Sequence, residues 1–151
     1  MLDLGSSFLA SVARDPHALG IVDGDVRFTY SAWYEKISAL VAGFDALGLE
    51  AGDHLVTVLQ NRWQAATIHW ACQFAGVIIT PLNWRSSASE LDFCLNDSEA
   101  KAIVYEEVSA AACAVSRPTR HVADGRRSID SRASSRRSHR RCTSYRAAVA
   151  I

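Results

Sequence analysis

Between Ser31 and Tyr105 the apolar residues switch repeatedly between two rhythms, and this alternation narrows the fold more than any other feature. From Ser31 to Leu47, the residues Trp33, Ile37, Leu40, Val41, Phe44 and Leu47 fall at helical spacing along one stripe. Leu55 to Leu59 is instead an unbroken uncharged run, as a strand covered on both faces requires. Helical spacing returns from Trp63 to Ala75, where Trp63, Ala66, Trp70, Ala71 and Phe74 share a face. Val77 to Thr80 reads as a short buried strand that Pro81 ends. Ser87-x-x-Glu90 is a capping box that opens a helix through Leu95, and Lys101 to Tyr105 is a further strand. Strands separated by helices are joined by crossovers rather than tight turns. The expected class is therefore α/β, a mixed or parallel sheet with flanking helices.

The residues ahead of this region prepare it. Residues 3–14 fit a short helix with Leu4, Phe8 and Val12 on one face. Ala18 to Val22 and Val26 to Tyr30 read as two strands around the turn Asp23-Gly24-Asp25, a hairpin signal. Thr29 or Ser31 can cap the long helix that follows. Gly48 and Gly76 suit the left-handed residue that ends a helix. No internal repeat is visible.

Charge divides the chain near residue 116. Residues 117–151 hold ten of the sixteen Lys and Arg and two of the sixteen Asp and Glu, a net charge of +8. Residues 1–116 hold six and fourteen, a net of −8, so the overall neutrality cancels two unlike parts. The second part, with Ser131 to Arg141 as its densest stretch, has no apolar period to offset the entropy of ordering and is expected to be disordered. No run of about twenty apolar residues could span a bilayer, and the N-terminus lacks a secretory pattern. Cys72, Cys94, Cys113 and Cys142 form no Cys-x-x-Cys pair. Together these features predict a cytoplasmic protein with reduced thiols.

Candidate chemistry is sparse. No Gly-x-Ser-x-Gly elbow accompanies the Ser, His and Asp residues. His69 and Cys72 are three apart on a predicted helix, with Cys94 available in space. Two ligands are too few for zinc, and these residues read as buried core. Asp23, Asp25 and Asp53 read as turn acids, and Glu106-Glu107 as a solvated helix start. Neither Gly-x-Gly-x-x-Gly nor Gly-x4-Gly-Lys-Ser/Thr occurs, and the eight glycines are scattered singly, so spacing alone gives no nucleotide cradle. Arg136-Arg137 and Arg140-Arg141 could contact phosphates. The tail offers only Tyr145 for base stacking, which argues against nucleic acid.

Five segments, in order, carry a resemblance. Asp23 to Ser31 resembles the hairpin whose Phe/Leu-Thr-Tyr opens the adenylate-forming (AMP-binding) acyl-CoA synthetases. Leu47 to Val56 is similar to their ALGVxxGDxV passage, and Gln60-Asn61-Arg62 stands at their PN turn. Gln73 to Arg85, reading QFAGVIITPLNWR, resembles their AGAVxxPLNPR signature. Ser87 to Ala102 resembles their EELxYxLxDSxAK helix–strand unit. The resemblance covers residues 18 to about 108, and the pattern is lost near Ser109.

The resemblance implies ATP-dependent activation of a carboxylic acid to an acyl-adenylate, then transfer to coenzyme A, with Mg2+ on the phosphates. The family's glycine-rich phosphate loop, adenine segment, ribose-binding Asp and C-terminal catalytic Lys match no position of this sequence. No catalytic, cofactor-binding or metal-binding residue is assigned. Asn83 and Arg85 border the carboxyl end of a strand, where a scaffold role is expected. Residues 1–116 are expected to be a partial N-terminal domain, inactive alone, with no cofactor of its own. A shifted reading frame in GC-rich DNA would account for the tail of 117–151. The competing expectation is a small non-enzymatic protein whose basic tail binds RNA or an acidic partner.

Overall fold

The structure is a computed structural model that describes residues 4–116 and the backbone of 147–150. It divides into two units, residues 1–53 with 60–79, and residues 54–59 with 80–151.

The first unit contains α1 (Leu4–Arg14), the strands β1 (Leu19–Asp23) and β2 (Val26–Thr29), α2 (Tyr30–Ala46) and α3 (Trp63–Ala75). β1 and β2 form the expected antiparallel hairpin, with Asp23 opposite Val26 and Gly24 at φ 57° in the turn. Thr29 caps α2, its hydroxyl accepting from the Ala32 N–H at 3.3 Å. The other end of α2 closes as a Schellman motif. Leu49 N–H donates to the Phe44 carbonyl at 3.0 Å and Gly48 N–H to Asp45 at 2.9 Å, with Gly48 at φ 72°. Phe8 is the buried residue of α1 and sits among rings. Its centroid lies 4.7 Å from Trp70, 5.3 Å from Trp33 and 6.0 Å from Phe74. The Trp33 and Phe74 contacts are edge-to-face and that with Trp70 is tilted; edge-to-face pairs add about 0.5–1.5 kcal/mol each beyond burial.

The buried face of α3 is displaced from the expected stripe. Thr67, Ile68, Ala71 and Cys72 are buried, whereas Trp63, Ala66, Trp70 and Phe74 are only partly covered. Large rings dominate a hydropathy reading, but the small residues lie where the helix is closely approached. Gly76 ends α3 in the left-handed region at φ 69°, as expected.

The sheet has the order β4-β3-β5-β6, built from β3 (His54–Leu59), β4 (Ile78–Asn83), β5 (Ala102–Tyr105) and β6 (Ala147–Ala150). β3 and β5 are parallel, with Leu55 opposite Ala102 and Val58 opposite Tyr105. β5 and β6 are also parallel. The helix α4 (Ala88–Asp97), a 3₁₀ turn (Glu107–Ser109) and α5 (Ala110–Val115) complete the second unit. Its core joins Val56, Val58, Leu91, Leu95, Ala100, Ile103 and Cys113. Ser87 and Glu90 form the expected capping box at the start of α4.

Three expectations are corrected. The strand after α3 is not buried and does not stop at Pro81; it continues to Asn83 with Pro81 inside it. β4 is an edge strand, where a missing N–H can face away from the ladder. A helical turn does start at Glu106-Glu107 as expected, but it is 3₁₀ and leads into α5, which was not expected because six residues rich in Ala show no period. Within the tail, Ala147–Ala150 forms β6 beside β5, so the expected disorder does not hold for those four residues. The remainder, 117–146 and 151, lies outside the described residues.

Candidate functional site

Open α/β sheets bind ligands outside the carboxyl ends of their strands. In the second unit that edge carries Asn83 at the end of β4 with Trp84-Arg85 after it, and Glu106-Glu107 after β5. The two loops are tied together by Ser109, a buried residue whose hydroxyl donates to the Trp84 carbonyl at 3.0 Å. Glu106 N–H extends the ladder to the Val58 carbonyl at 3.4 Å. Asn83 and Arg85 are both exposed. The Asn83 side-chain oxygen accepts from the Arg85 N–H at 2.9 Å, and its carbonyl accepts from Ser86 N–H at 2.9 Å. The Arg85 guanidinium stacks 4.1 Å from the Trp84 ring centre. Asn83 and Arg85 thus contact residues near them in the chain, whereas Ser109 and Glu106 reach remote ones.

The other candidates separate. His69 is exposed while Cys72 is fully buried, so the pair does not share one environment, and His69 is not the core residue expected. Burial pushes the Cys72 thiol up to about 12, and it raises the Cys113 thiol as well. Cys94 is half-buried, and Cys142 lies outside the described residues. No group of three His, Cys, Asp or Glu able to hold a metal occurs among the described residues. Asp53 behaves as the expected turn acid, accepting from the Glu50 N–H at 2.8 Å. Asp25 is exposed beside its turn. Glu107 is exposed and Glu106 half-buried at the start of the 3₁₀ turn. Arg136, Arg137, Arg140 and Arg141 lie outside the described residues.

Asp23 does more than its local turn requires. Its Oδ2 accepts from the Trp63 N–H at 3.0 Å, forty residues away, at the first residue of α3. Arg62, the N-cap of that helix, makes no side-chain capping bond, so a carboxylate from the hairpin takes that place. Nothing in the local sequence signals this, because the two partners meet only in the fold.

The profile of the AMP-binding enzyme family matches residues 8–146. The chain belongs to that family. The match begins inside α1, takes in the run of five segments and continues past Ser109. Several curated relatives are named as acyl-CoA ligases or synthases. Feruloyl-CoA synthase of an Amycolatopsis species is 31% identical over 102 residues, covering 68% of this chain and 21% of that protein. The long-chain-fatty-acid–CoA ligase FadD13 of Mycobacterium tuberculosis is 29% identical over 86 residues, 57% of this chain and 17% of that protein. The fold is similar to part of the N-terminal domain of FACL13 from Mycobacterium tuberculosis, with a TM-score of 0.70 at 24% identity. That likeness covers 87% of this chain and 31% of the solved domain. The chain thus spans about a fifth of the length of the acyl-CoA ligases it matches. Among the described residues, no helix is long and apolar enough to cross a membrane.

Proposed function

We propose that this AMP-binding family chain is the opening α/β portion of an acyl-CoA synthetase and does not complete the reaction by itself. Residues 1–116 correspond to part of the N-terminal domain, and 117–151 to an Arg/Ser-rich basic tail whose Ala147–Ala150 joins the sheet beside β5. The parent reaction is ATP-dependent activation of a fatty or aromatic carboxylate to an acyl-adenylate, followed by thioester formation with coenzyme A in the cytoplasm. Mg2+ would screen the phosphates during the first step. The observation that carries this reading is a family match over residues 8–146 in a chain that spans only 21% of feruloyl-CoA synthase. The chemistry of the sequence supports it, since no glycine-rich run supplies the cluster of backbone N–H groups that phosphates require.

The test is direct. The purified 151-residue chain is incubated with ATP, Mg2+, coenzyme A and a panel of ferulate, benzoate and a long-chain fatty acid. Pyrophosphate and AMP release are followed. The expected result is no turnover above the buffer control with any acid. Pyrophosphate released in proportion to protein would refute the reading. A frame shift as the origin of the tail has its own test in the gene. Shifting the frame near codons 115–127 should restore family-like sequence with a glycine-rich loop, whereas early stops in both other frames would exclude it.

A further inference from the structure

We draw no further inference here: the strongest candidate, the edge of strand β4 with the groove beside it lined by Cys72, Gln73, Gly76, Val77, Ile78 and Ile79, carries no charged side chain, and nothing in the structure shows what covers it.

Discussion

Thr67 offers a sharp test of how the first unit is held together. Its side chain is 1% exposed and receives the Trp33 indole N–H at 2.9 Å, and the hydroxyl donates in turn to the Trp63 carbonyl at 2.6 Å. Trp33 lies on α2 and Thr67 on α3, so this bond joins two helices whose partners are 34 residues apart. Thr67→Val keeps the shape and removes the acceptor. The Trp63 carbonyl belongs to the helical ladder and loses little. The indole N–H is left buried without a partner, and such an orphaned donor costs about 1–3 kcal/mol. Trp33→Phe removes the donor and loses packing, an independent cost of about 1–3 kcal/mol. In the double variant no orphaned donor remains, so its cost should fall short of the sum of the single costs by about 1 kcal/mol or more. Urea unfolding followed by circular dichroism at 222 nm measures all four proteins without relying on tryptophan emission. Costs that add to within about 0.3 kcal/mol would refute the argument, as would a Thr67→Val variant as stable as the parent.

Three further outcomes are expected. Asp23→Ala should destabilise by about 1–2 kcal/mol, since it removes both the acceptor and the negative charge at the start of α3. Asp25→Ala, in the same turn but exposed, should be near neutral in the same urea experiment. The Glu90 carboxyl is held below its ordinary value by the Ser87 backbone N–H and then by the Ser87 hydroxyl. A lowered folded-state value means the capping box stabilises α4 above the ordinary carboxylate range and is lost as pH falls through the folded-state value. Carboxyl titration by NMR should show the depressed midpoint in the parent, and Ser87→Ala, which removes the hydroxyl but keeps the backbone N–H, should return it only part of the way to the ordinary value. Cys72, pushed up to about 12 by burial, should resist iodoacetamide at pH 8.5 in the folded chain while half-buried Cys94 is labelled before it. Peptide mass spectrometry reads the order, and early labelling of Cys72 would contradict its burial.

Much of the fold is legible because the signals are short-range. The capping box at Ser87 and Glu90, the Thr29 cap and the left-handed Gly48 and Gly76 each arise among residues a few positions apart. The same holds for the apolar run of β3, which is buried from Leu55 to Leu59. Signals that depend on neighbours elsewhere in the chain were misread. Pro81 ends a strand in any central ladder, yet it is accommodated at an edge, and only the strand order says which applies. His69 and Cys72 have the spacing of a shared helical face, but one is exposed and the other buried. The sheet's carboxyl edge offered Asn83 and Arg85 as recognisable polar residues. Their occupation by a backbone N–H and by the Trp84 ring became visible only in three dimensions.

The sequence alone determined the α/β class, the order of elements from α1 to β5, and membership of the AMP-binding enzyme family, because periodicity, caps and ordered motifs are written locally. The tertiary structure decided which strand became an edge, which face of α3 is covered, and how Ser109 ties two loops together. It also decided that Asp23 caps a helix forty residues away. Those outcomes turn on burial and on hydrogen-bond partners remote in the chain, and a linear pattern carries neither.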